Sequence, residues 1–216
     1  NGRIKDQGGL RLLSGLKAFF AKNRTSARLT CQQSILLADL DPAWKPEIER
    51  WLAEYGIAEV EQVSTVRRWS MACPAMPTCG LAVTEAERAL PTVIDGLEAE
   101  LARLGLGGER FTVRMTGCPN GCARPYNADI GLVGRSATRN PDGTPGPGTY
   151  TIFLGGRTLG DRLNVEYKDY VPFDSVVAEL VPVFTRFKAE RLDGETFGDF
   201  CDRVGVESLA AAASPA

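Results

Sequence analysis

Thiols are the groups in this chain best suited to chemistry, and four of its six cysteines fall into two local pairs. Cys73 and Cys79 enclose the five residues PAMPT, while Cys118 and Cys122 enclose PNG. Proline in both intervals, joined by glycine in the second, holds the backbone in turns. Several sulfurs can then converge on one centre, with backbone N–H groups directed inward to hydrogen-bond them. Three chemistries fit such an arrangement. Disulfides are permitted by the even cysteine count, although a 216-residue chain with ordinary apolar content has little need of covalent staples. A structural four-cysteine zinc site is the second, but paired zinc ligands are usually about two to four residues apart, which the first gap fits poorly. An iron–sulfur cluster is the third, and soft thiolates in Pro/Gly turns suit it best. Spacing favours the cluster without closing the other two. Cys31 and Cys201, in a strand-like run and an amphipathic helix, are expected to be small buried hydrophobes.

Histidine is absent from the chain. That excludes, within these residues, a histidine-ligated haem, a zinc site of paired cysteines and histidines, and any Ser–His or Cys–His catalytic pair. The formal charge of −2 and the lack of a Lys/Arg block give no electrostatic case for nucleic acid. No apolar run approaches the roughly 18–20 residues that cross a bilayer, so no membrane partner is expected. The polar start, Asn-Gly-Arg-Ile-Lys-Asp without Met, shows no secretory leader and reads as part of something longer. The expected compartment is the cytoplasm.

These cysteines need a scaffold, and the apolar periodicity supplies one. A helix is predicted over 10–22 (Leu12, Leu13, Leu16, Phe19, Phe20), weakened by Gly15. Strands follow at Ala27–Thr30 and Ser34–Leu40. A second helix then starts at Pro46, carries Ile48, Trp51, Leu52 and Tyr55, and stops at Gly56. A short strand is expected near Val60–Val66. This is a small α+β, ferredoxin-like half-domain, assigned to residues 1–66. Over 67–216, Thr84 and Glu87 have capping-box spacing. Leu90, Ile94, Leu97, Leu101 and Leu104 continue one face, with a kink expected at Pro91. Phe111, Val113 and Met115 read as a half-buried strand that runs into Gly117 and Cys118. Ile130–Val133 and Tyr150–Leu154 are further strands around a Pro/Gly-rich loop at Thr138–Gly148. Asp174 can cap a long helix bent by Pro182. A terminal helix near Glu195–Arg203 precedes a tail, Ala210–Ala216, expected to fray.

The residues around the cysteines carry a resemblance. MACPAMPTCGLAVTEAERALP (71–91) and VRMTGCPNGCARPYNADIGLVG (113–134) closely resemble the two cluster motifs of sirohaem-containing assimilatory sulfite reductases. GRIKD (2–6), RLTCQQ (28–33), FLGG (153–156) and FGDFCDRVG (197–205) are also similar to that family, in the same order and across nearly the whole chain. The resemblance implies an α+β fold: the ferredoxin-like half-domain, then a mixed α/β domain that binds sirohaem and a 4Fe–4S cluster. It implies that Cys73, Cys79, Cys118 and Cys122 ligate the cluster, with Cys122 also the proximal ligand of the sirohaem iron. Asn120 corresponds to a residue beside the sirohaem. Arg114, Arg124 and Arg135 flank the motif and could pair with the carboxylates of the macrocycle. Arg28 and Gln33 lie in a segment resembling one that lines the cofactor cavity.

The implied activity is six-electron reduction of sulfite to sulfide, in sulfur assimilation, with sirohaem nitrite reduction as the alternative. An electron-transfer or structural four-cysteine metal module without sirohaem is the reading from a different class. Ferredoxin and an NADPH flavoprotein are the implied electron donors, the CARPY stretch looking closer to ferredoxin-dependent members. The family contains two similar halves, and this chain resembles the second. The basic residues that hold the substrate anion are expected in the N-terminal half, outside this chain, so it should be insufficient for catalysis alone.

Overall fold

A computed structural model describes residues 3–144, 146 and 148–212, which divide into two compact units at Ser64/Thr65. In the first unit, β1 (Asp6–Gln7) and β2 (Leu10–Arg11) form a hairpin that leads into α1 (Leu12–Lys22). A second antiparallel hairpin joins β3 (Ser26–Leu29) to β4 (Ile35–Ala38), and α2 (Lys45–Glu54) follows. Phe19 of α1 packs on Trp51 of α2 with ring centroids 4.8 Å apart, and the Trp51 indole N–H donates to the Gly15 carbonyl at 3.0 Å. Gly15 is therefore the helix crossing point: a Cβ there would meet the Tyr55 ring at 2.9 Å. Leu13 and Phe20, two of the apolar positions that predicted the helix, are exposed. The strand expected near Val60–Val66 is instead a 3-10 turn at Val60–Gln62 followed by α3 (Thr65–Arg68). Local chemistry wins there, because the Gln62 side chain folds back onto the Glu59 N–H at 3.1 Å.

The second unit is a five-stranded sheet in sequential order. β5 (Ser70–Ala72), β6 (Val113–Thr116) and β7 (Ile130–Ser136) are parallel, and β8 (Thr149–Leu154) and β9 (Val165–Pro172) continue antiparallel. Alternation and register put Val113, Met115, Ile130, Leu132, Ile152 and Leu154 on one face of the sheet, all fully buried. Among the described residues five helices accompany the sheet: α3, which opens the unit, α4 (Leu90–Arg103), α5 (Val176–Glu190), α6 (Phe197–Val204) and α7 (Val206–Ala212). Phe111, Phe184, Phe187 and Phe197 meet edge-on or tilted at centroid distances of 5.2–6.2 Å, joining α5 and α6 to the approach of β6. β6 is buried on both faces rather than one, as parallel strands usually are.

Two helix starts differ from expectation. Thr84 opens no helix, because its N–H donates to the Gly117 carbonyl at 3.1 Å. The helix begins at Leu90 instead, with Pro91 in its first turn, where the missing N–H costs nothing and causes no kink. Asp174 lies inside a 3-10 turn, Phe173–Ser175, and does not cap α5. The tail expected to fray begins within α7, and residues 213–216 lie outside the described ones. Among the described residues no helix is long and apolar enough to cross a membrane.

Asp199 fastens α6 to the loop after β8. It accepts from Arg157 at 2.7 Å, Arg162 at 2.8 Å and the Thr196 hydroxyl at 2.7 Å. The Arg157 bond foremost, with Thr196 next, holds its carboxyl well below the usual range. A depressed carboxylate stabilises the fold above its unfolded pKa, near 4, and that contribution is lost as pH falls through the folded value. Asp199→Asn should therefore lower the melting temperature at pH 7, with the deficit shrinking as the pH is taken below about 4. Thermal melts across pH measure it, and a deficit independent of pH would refute the assignment.

Candidate metal centre

Both cysteine pairs emerge at the carboxyl ends of adjacent parallel strands. Cys73 directly follows β5, and Cys118 follows β6 after Gly117. In sheets with parallel strands this end is where ligands bind, because the loops leaving it diverge around a crevice. The Cys73 N–H still donates to Met115 at 3.1 Å, so the ladder runs up to the first ligand candidate. Beyond it the chain turns through Ala75, which is left-handed (φ 49°), and the Cys79 N–H closes the loop onto the Ala75 carbonyl at 2.8 Å. The second turn uses Gly121 at φ 67° and Arg124 at φ 53°, tied by the Arg124 N–H on the Gly121 carbonyl at 2.7 Å.

Gly117 joins the two loops. Its N–H donates to Cys73 Sγ at 3.4 Å, and its carbonyl accepts from Val83 at 2.8 Å and Thr84 at 3.1 Å. A Cβ at this position would lie 2.6 Å from both the Ala75 Cβ and the Thr84 carbonyl oxygen. Only glycine lets the strands' ends approach this closely. Thr84 is held in turn beside Glu85, whose carbonyl accepts from the buried Tyr150 hydroxyl at 2.7 Å.

None of the six cysteines is joined in a disulfide. Cys73 and Cys118 are buried, each 8% exposed, Cys79 is half-buried and Cys122 is exposed. Burial pushes the Cys73 thiol up, opposed by the N–H groups of Gly117 and Ala75, which favour its thiolate. The donors therefore grade from a hydrogen-bonded interior sulfur to one facing outward. Among the described residues no three Cys, Asp or Glu side chains converge tightly enough for a single metal ion. The chemistry of the donor set, four thiols in turns with amides on sulfur, fits a polynuclear iron–sulfur group. Cys201 is buried in α6 as expected, and burial pushes its thiol up. Cys31 is not: it is exposed in the turn between β3 and β4, because the hairpin reverses at Thr30–Ser34.

The candidates around the cysteines divide by what they touch. Arg114 is fully buried, and its guanidinium donates to the Arg124 carbonyl at 3.2 Å and to Asn127, supporting the second turn from beneath. Arg124 is exposed and reaches the Met71 sulfur at 3.8 Å. Asn120 is exposed at the tip of the turn. Arg135 is engaged elsewhere, by Asp169 at 3.0 Å and over the Tyr170 ring at 4.8 Å. Arg28 lies exposed in β3, and Gln33 is left-handed (φ 59°) in the hairpin turn. Sequence reasoning missed Thr84, Tyr126 and Gly134. Gly134 had a readable signal, a glycine interrupting an apolar strand, which marks close backbone approach. A Cβ there would meet the Gly117 carbonyl at 2.6 Å.

A mixed sheet with four thiols in the loops at the ends of two parallel strands makes this an α+β domain with a candidate metal centre. The comparisons with known proteins make that class specific. Residues 64–215 match the family described as "Nitrite and sulphite reductase 4Fe-4S domain", and the chain belongs to it. It is 48% identical over 202 residues to a "Sulfite reductase [NADPH] hemoprotein beta-component" of Acidithiobacillus ferrooxidans, covering 94% of this chain and 34% of the relative. It is 43% identical over 209 residues to a "Sulfite reductase [ferredoxin]" of Synechococcus elongatus, covering 97% and 32%. The chain thus spans about a third of the length of these curated relatives. Among solved structures it resembles Mycobacterium tuberculosis NirA protein, with TM-score 0.75 and 25% identity over 91% of this chain and 36% of that one. Dissimilatory sulfite reductase I, at TM-score 0.64 and 12% identity over 99% and 67%, shares the fold.

Proposed function

We propose that this chain is the cofactor-carrying C-terminal part of a cytoplasmic assimilatory sulfite reductase, which converts sulfite to sulfide in six one-electron steps. The observation that carries the reading is the pair of cysteine loops at adjacent strand ends, stitched through Gly117 onto Cys73 Sγ. In it, residues 1–66 are a ferredoxin-like half-domain and residues 67–216 hold a 4Fe–4S cluster and sirohaem. Cys73, Cys79, Cys118 and the exposed Cys122 would hold the cluster, and Cys122 would also be the residue that holds the haem. When bound, the cluster and haem supply stored electrons and an iron at which sulfite is reduced.

The chain's own residues bind and orient. Gly117 and Ala75 direct N–H groups at Cys73 and favour its charged form. Arg124 would pair with sirohaem carboxylates, and the Asn120 amide would bond a carboxylate or order water, a reading supported by the exposure of both residues near Cys122 in the chain. Arg114, fixed beneath the turn, keeps Arg124 and Asn127 in position. Substrate binding falls to basic side chains of the N-terminal part, since a site for a small anion needs concentrated positive charge. The donor is a ferredoxin or an NADPH flavoprotein, a reading supported by the words ferredoxin and NADPH in the names of the relatives.

Absorption spectroscopy with iron, sulfide and zinc analysis of the full-length enzyme tests this. A chlorin-type haem band, about five irons per molecule and sulfite-dependent sulfide release are expected. Iron and sulfide without the haem band would make it an electron-transfer module, and stoichiometric zinc a structural site. Ammonium from nitrite at a rate far above sulfide from sulfite would reassign the substrate.

A further inference from the structure

We propose that Tyr126 is a positioning residue that ties the turn carrying Cys118 and Cys122 to the sheet and so governs how firmly the metal group is retained. The inference rests on the four-cysteine reading. Its hydroxyl donates across the turn to the Pro119 carbonyl at 3.0 Å, one residue past Cys118. Its ring lies against Gly121, one residue before Cys122: a Cβ on that glycine would sit 3.0 Å from Tyr126 Cε2. A single side chain thus restrains the turn at both ends, beside each of its two thiols.

The other side of Tyr126 is anchored. Phe153 of β8 meets the ring edge-on, with centroids 5.4 Å apart and planes at 85°. The Tyr126 carbonyl accepts from the Asn164 N–H at 2.8 Å, and the Asn164 amide donates to Pro125 at 2.7 Å and to Ala128 at 3.2 Å. Force on the cysteine turn is therefore carried through Tyr126 into β8 and the segment before β9. Pro119 and Asn120 are exposed, so the turn has little packing of its own on its outer side. Tyr126 touches the turn and acts on the metal group only through it.

The test uses the full-length holoenzyme with Tyr126→Phe, which keeps the ring, and Tyr126→Leu, which loses ring and hydroxyl. Iron release to 2,2′-bipyridyl under reducing conditions is followed by loss of cluster absorbance, beside melting by far-UV circular dichroism. Tyr126→Phe should melt with wild type but lose iron roughly three- to tenfold faster, the factor that one hydrogen bond controls. Tyr126→Leu should lose it faster still. Wild-type release rates in both variants overturn the proposal. So does faster release that tracks a lowered melting temperature, because Tyr126 would then be general packing. A wild-type enzyme free of iron and sulfide overturns the four-cysteine reading, and this proposal with it.

Discussion

Full-length enzyme carrying Cys122→Ser is expected to lose sulfite reduction to background. Cys122 is the one exposed thiol of the four. A hydroxyl is a harder and far less acidic ligand than a thiol, so it neither matches the iron of a cluster nor readily bridges to a second iron. The variant should keep the fold, because the position is exposed and Ser is nearly isosteric. The readouts are sulfide formation, the cluster signal, and the magnetic coupling between cluster and haem in paramagnetic resonance spectra. Cys31→Ser is the matched control: also exposed, but in the β3–β4 turn, and expected to change none of these. Retained six-electron turnover in Cys122→Ser would remove the bridging role. Loss of turnover in Cys31→Ser as well would show that the assay responds to any thiol.

The contrast between Cys122 and Cys31 also shows where sequence reasoning reached its limit. Cysteine pairs in Pro/Gly turns are local signals, as are the apolar stripe Leu90, Ile94, Leu97 and Leu101, all buried in α4, and the runs that become β7 and β8. Local patterns are legible because neighbours in sequence stay neighbours in space. Cys31 misled because a strand-like run gives no sign of where its hairpin reverses. Thr84 misled because its N–H, available by local rules to start a helix, is claimed by Gly117, far away in sequence. Nothing local to Arg114 shows that it will be fully buried, since its partners, the Arg124 carbonyl and Asn127, come from the loop after β6. Tyr126 gave no signal at all, since an aromatic residue near a motif is ordinary until its hydroxyl is seen on Pro119. For Thr84 a hydrogen bond distant in sequence overrode a local capping preference worth about 0.5–2 kcal/mol.

That dependence on one crowded junction makes Gly117→Ala a damaging single methyl group to add beside the cysteines. The φ angle of Gly117 is not left-handed, so alanine meets no backbone strain there, and the conflict is spatial. Its Cβ would overlap the Ala75 Cβ and the Thr84 carbonyl, both at 2.6 Å, and crowd the Ala82 Cβ at 3.1 Å. None of these is the end of a flexible side chain, so the β6 end and the 74–84 loop must separate. Separation breaks the bonds that Gly117 makes to Val83 and Thr84 and withdraws its N–H from Cys73 Sγ. Overpacking of this kind costs about 1–3 kcal/mol. The larger effect falls on the site, because Cys73 and Cys118 sit on opposite sides of the junction and move apart together. Gly117→Ala should purify with most of its cluster iron missing, while Gly108→Ala, with open space around its Cβ, should carry the wild-type amount. Iron and sulfide analysis of the two variants measures it. Full iron in Gly117→Ala would mean that the two loops can hold the metal group without the close approach, and the junction would be packing alone.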